Sequence, residues 1–239
     1  MRRLISLSLL LIVALGISLC FSGAYFGAEG ANRAGKLAQD RVNFGQRYNS
    51  RGLEENGAGN IVASVVVNYR GFDTLGEVTV LFIAAVGLAV VLSTRREKPA
   101  RVRAEPASLV VFTGCRFLFP LILLLGSYIF IHGHLTPGGG FQGGAVVASG
   151  FLLVYLGCRG KGLRSAGFTV TESLSGLAFV VLALVGLAVG GSLLLNFLPK
   201  GSALTLFSGG VIPIIYVAIG LKVGSELGSI IANLSGEAP

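Results

Sequence analysis

The sequence contains no tryptophan and few charged residues, and this shortage of charge argues against an ordinary soluble protein. Only 13% of the 239 residues are charged, whereas 53% are hydrophobic. Soluble domains have an apolar share nearer to ~45%, even when glycine is counted. The composition therefore predicts an all-α integral membrane protein.

Cysteine is also scarce, and its pattern argues against a disulfide or metal framework. Cys20, Cys115 and Cys158 are odd in number, widely spaced and surrounded by apolar residues, which is typical of small buried side chains. The formal charge of +8 comes largely from short connecting segments, and no basic-aromatic array indicates a nucleic-acid partner. We expect no metal, no cofactor and no catalytic centre in this chain.

Six apolar stretches approach the ~20 residues that a helix needs to cross the hydrocarbon layer. They lie at about 4–25, 77–92, 109–131, 141–158, 174–198 and 208–227. The second is short, and its helix would need to begin near Phe72. The first follows Arg2 and Arg3 as a signal peptide would, but its long apolar part and the lack of a clear cleavage site favour a retained helix.

Basic residues occupy alternate connections, which sets the predicted orientation. The clusters are Arg2 and Arg3; Arg95, Arg96, Lys98, Arg101 and Arg103; and Arg159, Lys161 and Arg164. Short basic connections stay in the cytoplasm, so we expect both termini there. The chain then reads as a two-helix module over 1–92, a basic linker over 93–106 and a four-helix domain over 107–239. Its polar segment 27–68 would be an extracytoplasmic loop with little core of its own.

Acidic residues mark the starts of two predicted helices. Asp73 and Glu77 are four residues apart and therefore share a helical face. They are either an N-terminal cap and a dipole-favoured acid, or a carboxylate pair that holds a proton or cation at a membrane entrance. Glu172 is by default a simple N-terminal acid. Arg116, seven residues into its stretch, either snorkels to the interface or pairs with an acid of another helix.

The segment 132–144 combines histidines and glycines at a membrane boundary. His132 and His134 have no third ligand nearby and make a poor zinc site. A solvated or capping histidine at a helix C-terminus is the ordinary interpretation, and a proton relay is the functional one, because histidine titrates near ~6.5. The segment lacks the Gly-Lys-Ser/Thr ending of a phosphate loop. Its turn and close-packing residues are Pro137, Gly138, Gly139, Gly140, Gly143 and Gly144.

The last apolar stretch has two different faces. Three glycines at four-residue spacing line one side, and Lys222 and Glu226, also four apart, lie roughly opposite. One face thus favours close backbone contact and the other carries charge. Ionisable groups within a membrane helix indicate either an ion pathway or a buried structural pair. The glycines are Gly220, Gly224 and Gly228.

These motifs resemble the B subunit of Mrp-type multisubunit cation/proton antiporters, a family that also occurs in membrane-bound hydrogenases and related respiratory complexes. The resemblance covers about 107–234 and rests on Arg116, the His-Gly-His and glycine segment 132–144, and the last-helix segment 220–226. Residues 68–80 are similar to a second module, the C-terminal tail of the antiporter A subunit, which is a separate small subunit in hydrogenase assemblies. The chain therefore resembles a fusion of both modules.

The resemblance implies an accessory subunit in the cell membrane, packed in the lipid bilayer against other small and large membrane subunits, with Na⁺ and H⁺ as the transported ions. A purely structural scaffold in a redox-driven complex is the alternative. A stand-alone transporter is disfavoured, because no internal repeat is evident. The candidate ion-path residues are Asp73, Glu77, His132, His134, Glu172, Lys222 and Glu226.

Overall fold

The computed structural model describes residues 44–94, 107–157 and 165–234, together with positions 11, 15 and 18. The predicted first helix, apart from those three positions, and the three basic clusters therefore lie outside the described residues, as do Cys20 and Cys158. The chain forms two compact units, Met1–Asn49 and Ser50–Pro239. The packing described below is that of the second unit.

All the secondary structure of the described residues is helical, and five of the helices are long and apolar enough to cross a membrane. The helices are α1 (Phe44–Asn56), α2 (Ile61–Ala63) with its π-helical continuation Ser64–Tyr69, α3 (Gly71–Thr94), α4 (Leu109–Ile131), α5 (Gly140–Gly157), α6 (Ser165–Gly190) and α7 (Ile212–Leu234). Helices α3 to α7 have the length and hydropathy of membrane spans. The predicted all-α integral membrane fold is therefore confirmed.

The predicted bounds are accurate for α4 and wrong for α6 and α7. Helix α4 runs over the predicted 109–131, because Ser108 caps it by accepting a hydrogen bond from the Val111 N–H (3.3 Å). Helix α3 begins at Gly71, next to the predicted start near Phe72. In contrast, α6 covers Ser165–Gly190 and α7 covers Ile212–Leu234. The apolar stretches had been bounded near acidic residues, whereas these helices carry their acids within the first turns or in the interior.

The segment 27–68, which was predicted as a loop with little core of its own, is largely helical where the structure describes it. Residues 44–69 contain α1, α2 and the π-helical segment, and Ala58, Ala63 and Val67 are at most 1% exposed. Asn60 caps α2 by accepting a hydrogen bond from the Val62 N–H (3.1 Å). A few small apolar residues therefore pack into the core although the segment as a whole is polar.

Helix α7 is the centre of the bundle. It packs against α3, α4, α5, α6 and the π-helical segment. In its membrane-crossing window 61% of the residues are buried, compared with 6% for α3. The other spans therefore leave wide apolar faces for lipid or neighbouring subunits, whereas α7 is enclosed by its own chain.

Glycines bring α4, α5 and α7 into backbone contact, as sequence spacing had predicted for α7. A Cβ on Gly144 would lie 2.8 Å from the Gly220 carbonyl oxygen and 2.8 Å from Val223 Cβ. A Cβ on Gly143 would lie 2.7 Å from the Gly126 carbonyl oxygen. Small residues permit such contacts between membrane helices, so the glycine face of α7 is a packing surface.

This packing predicts opposite effects for the same substitution at two helical glycines. Gly144→Ala should lower the midpoint of thermal unfolding in detergent, because the added methyl group meets backbone atoms and overpacking costs about 1–3 kcal/mol. Gly87→Ala is the matched control, since nothing lies within 4 Å of a Cβ there and alanine favours the helix. Equal midpoints for Gly144→Ala and the unsubstituted protein would contradict the packing.

Candidate functional site

Three charged side chains meet between α6 and α7 and form what we call the buried charge cluster: Glu172, Lys222 and Glu226. Lys222 Nζ lies 3.1 Å from Glu226 Oε2 and donates a hydrogen bond to it. The same Nζ lies 3.9 Å from Glu172 Oε1. Lys222 and Glu226 share a face of α7 because they are one turn apart, and Glu172 reaches them from α6.

The cluster is deeply enclosed. The exposed fraction of the side chain is 0% for Glu226, 8% for Lys222 and 16% for Glu172. At about 1.5 Å per residue, Lys222 lies about 15 Å from the start of α7, close to the middle of this helix. Charges at such a depth are costly unless they are paired, and here one ammonium group serves two carboxylates.

One carboxylate oxygen of the cluster is not paired. Glu226 Oε1 is buried without a hydrogen-bond partner among the described residues, whereas Oε2 accepts from Lys222. The neighbouring Ser225 hydroxyl donates to the carbonyl groups of Leu221 (2.7 Å) and Lys222 (3.0 Å) instead. Most buried polar atoms in proteins have a hydrogen-bond partner. Glu226 Oε1 is therefore an unusual atom of the cluster.

Helix α3 supplies a wall of the cluster. The ring centroid of Phe82 lies 5.1 Å from Lys222 Nζ, within the range of a cation–π interaction. On the α6 side, Gly176 lies beside the lysine stem, and a Cβ there would be in ordinary van der Waals contact with Lys222 Cδ at 3.5 Å. A cavity of about 170 Å³ between α3 and α6 is lined in part by Phe82, Phe179 and Lys222.

The structure agrees with only part of what the sequence predicted for the charged residues of α6 and α7. Lys222 and Glu226 form the pair that their spacing indicated. The default interpretation of Glu172 as a simple helix-start acid is incomplete, because this residue contacts Lys222 across a helix interface. Phe82 was missed. Periodicity relates residues along one helix and cannot identify which helices are neighbours.

The two acids of α3 lie apart from the cluster. Asp73 is in the first turn and forms an exposed ion pair with Arg70. Glu77 is exposed, and within the described residues it has neither an ion-pair nor a hydrogen-bond partner. Their role as a carboxylate pair stays a prediction, and in this chain alone they face outward.

Arg116 of α4 lies at the surface of the bundle. Arg116 is exposed, and its guanidinium carbon lies 5.5 Å from the ring centroid of Phe112. It has no ion pair with any described residue, as expected for a snorkelling side chain. Within the described ranges, no three His, Cys, Asp or Glu side chains come together as possible metal ligands.

The two histidines occupy different environments at the turn between α4 and α5. His132 is the C-cap of α4, its N–H donates to the Tyr128 carbonyl (2.9 Å), and its ring stacks on Tyr128 with centroids 4.3 Å apart. This confirms the predicted position at the helix end. The His134 side chain is fully buried, and its ring nitrogens have no hydrogen-bond partner of ordinary geometry among the described residues.

Asn60 holds this turn from the preceding module. Its side-chain amide donates to the carbonyl groups of Gly133 (2.8 Å) and Thr136 (3.0 Å), and its backbone N–H donates to the His134 carbonyl (2.9 Å). The two ends of the turn are in close backbone contact at Gly133 and Gly139. A Cβ on Gly133 would lie only 2.8 Å from Gly139 Cα. Sequence reasoning missed Asn60, whose partners are more than seventy residues away.

Burial lowers the pKa of His134. The nearby backbone of Thr205, Leu206 and Ile131 raises this pKa, but by less than burial lowers it. The unfolded chain therefore binds a proton near ~6.5 while the folded ring is still neutral. Stability should fall as the pH falls below that value.

This predicts a pH-dependent unfolding midpoint whose slope below neutral pH is reduced in His134→Gln. Thermal unfolding in detergent between about pH 7 and pH 5.5 measures it. His132→Gln is the matched control and should retain the slope. An unchanged slope in His134→Gln would show that other groups cause the pH dependence.

Two protein families match consecutive parts of the chain. Residues 110–229 match the family described as a domain related to the MnhB subunit of Na⁺/H⁺ antiporter. Residues 36–108 match the MbhE family, whose members are subunits of MBH. The boundary between the two matches falls at the start of α4, and the Asn60 contacts and the Phe82–Lys222 contact join the two parts.

Similar proteins include an uncharacterised protein of Methanocaldococcus jannaschii, 30% identical over 204 residues, which are 74% of this chain and 78% of that protein. A chain of the archaeal membrane-bound sulfane sulfur reductase (MBS), a respiratory membrane complex, is 44% identical with a TM-score of 0.72. The match covers 98% of this chain and 97% of that chain.

A chain of the Mrp complex from Dietzia is 27% identical with a TM-score of 0.69. The match covers 98% of this chain and 26% of that longer chain. The family match over half of the sequence and the agreement of the fold lead to one conclusion. This multi-pass membrane protein belongs to the family of proteins related to MnhB, a subunit of the Na⁺/H⁺ antiporter.

Proposed function

We propose that this chain is an accessory subunit of a multisubunit cation/proton antiporter module, to which it contributes helices and titratable groups. Membership of the MnhB-related family supports this role. So does the similarity to chains of the Mrp and MBS membrane complexes. The apolar faces that α3, α4 and α6 leave exposed are suited to neighbouring membrane subunits and lipid.

The observation that carries a role in ion translocation is the buried charge cluster. Apolar residues of similar volume would hold α6 and α7 together at least as well, because a buried ion pair is often no more stable than an apolar replacement. Ionisable groups inside a membrane bundle indicate proton or ion handling by default. A cluster with more acids than bases and one unpaired oxygen is suited to exchanging a proton.

Three other candidate residues lie near the ends of the helices. Asp73 and Glu77 lie within the first two turns of α3, and His132 lies at the end of α4. In an assembly these groups can contact water or a neighbouring subunit, whereas the cluster lies at mid-depth. We propose that they connect the aqueous phase with the cluster only together with groups of the partner subunits.

A scaffold in the membrane arm of a redox-driven complex is the second candidate. It is favoured by the glycine contacts of α4, α5 and α7 and by the 44% identity to a chain of the MBS complex. In this role the chain would seat neighbouring helices without exchanging protons. The two functions differ in whether removal of an acid from the cluster matters once the complex has assembled.

The antiporter role predicts that Glu226→Gln lowers sodium-dependent proton exchange by about tenfold or more, as expected when a proton-transfer group is lost. The measurement is the sodium-induced pH change in vesicles that contain the whole complex, with copurifying subunits quantified in each preparation.

Glu54→Gln makes the same chemical change on an exposed acid and is the matched control. Normal exchange by a fully assembled Glu226→Gln complex would refute the role of the cluster and favour the scaffold. A variant that fails to assemble is replaced by Glu172→Gln, which leaves the Lys222–Glu226 pair in place.

A further inference from the structure

We propose that Glu226 carries a proton on Oε1 in the resting protein, so that the buried charge cluster is electrically neutral. This inference deepens the proposed function by naming the group that holds the proton. The Oε1–H bond forms as an O–H bond of a hydronium ion from the aqueous phase breaks, and a neutral water molecule is left. No other co-reactant is required.

The count of charges within the cluster is the first argument. Two carboxylates and one ammonium group carry a net charge of −1 when all three are ionised. The side chains of Lys222 and Glu226 are 8% and 0% exposed, and that of Glu172 is 16% exposed. An uncompensated charge in such surroundings is strongly disfavoured, and a buried acid normally takes up a proton instead.

The geometry assigns the proton to Glu226 rather than to Glu172. Glu226 is the more deeply buried acid, and only one of its two oxygens has a partner. The other oxygen, Oε1, is thus free to become a hydroxyl group without breaking a hydrogen bond. Glu172 keeps some contact with the surface and lies 3.9 Å from Lys222, so it can remain ionised as the counter-charge.

Neighbouring helices do not alter the charge of the cluster. Among the described residues, Glu172 from α6 and Lys222 from α7 are the charged side chains that interact with Glu226. Helix α5 and the π-helical segment contain no charged residue, and α3 contributes the ring of Phe82. The charged residues that the described parts of α3 and α4 do carry are exposed: Asp73, Glu77 and Arg116.

A proton fits this site better than a metal cation does. Hard cations take about six or more oxygen ligands, and no group of three His, Cys, Asp or Glu side chains is assembled within the described residues. The ammonium group of Lys222, 3.1 Å from Glu226 Oε2, would also repel a cation. Oε1 has space for a single bond to hydrogen and lacks the ligands that sodium would need.

Infrared difference spectroscopy of the full-length chain in lipid nanodiscs tests the proposal. The whole chain has only 11 Asp and Glu residues, so one protonated acid is detectable. The spectrum of the unsubstituted protein minus that of Glu226→Gln should contain one carboxylic-acid C=O band near neutral pH, which shifts in D₂O. The control Glu54→Gln should give no such band.

Glu172→Gln tests the charge argument separately. This variant leaves one carboxylate and one ammonium group, so Glu226 should ionise and its carboxylic-acid band should disappear near neutral pH. A band that persists in Glu172→Gln would overturn the argument from net charge. A folded Glu226→Gln variant whose difference spectrum lacks the band would overturn the assignment of the proton.

The unsubstituted protein provides a check that does not depend on variants that fold. Its carboxylic-acid band should be present near neutral pH and be lost on alkaline titration, and absence of any such band would overturn the proposal. The result is also independent of transport. If the unsubstituted protein has the band and the Glu226→Gln complex still exchanges normally, only the proposed function is overturned. If the Glu226→Gln complex loses exchange but the unsubstituted protein has no band, only this inference is overturned.

Discussion

The constraint that decides how α7 packs is the presence of two buried charges, Lys222 and Glu226, in the middle of this helix. Neither charge is tolerable in lipid, so α7 must be enclosed by other helices of the chain. Helices α6 and α3 enclose the charged face, with Glu172 as a second acid and the Phe82 ring against the ammonium group. The position of α7 at the centre of the bundle follows from this requirement.

The opposite side of α7 is covered by close contact with a neighbouring helix. Gly144 brings α5 against the Gly220 carbonyl group, and Gly143 brings α5 against Gly126 of α4. Such close backbone approach is possible because these positions carry no side chain. At the turn between α4 and α5, Asn60 fixes the backbone around His134, so a residue of the preceding module holds the most recognisable motif of the following one.

The sequence predicted what depends on spacing along one helix. The bounds of α4, the glycine face of α7 and the Lys222–Glu226 pair were all accessible from hydropathy and periodicity. Contacts between helices were not accessible, because Glu172, Phe82 and Asn60 gain their partners only when distant segments pack together. The start of α6 and the end of α7 were misjudged, since hydropathy alone treats the acids Glu172 and Glu226, which contact Lys222, as if they were exposed to lipid.

The central claim is that the cluster is retained for proton exchange and not for stability. The most direct test is a complex in which all three charges are removed, Glu172→Gln with Lys222→Met and Glu226→Gln, because no unpaired charge then remains to destabilise the bundle. We expect normal assembly, an unfolding midpoint equal to or above that of the unsubstituted complex, and loss of sodium-dependent proton exchange in vesicles. Exchange at the unsubstituted rate in this assembled complex would contradict the claim.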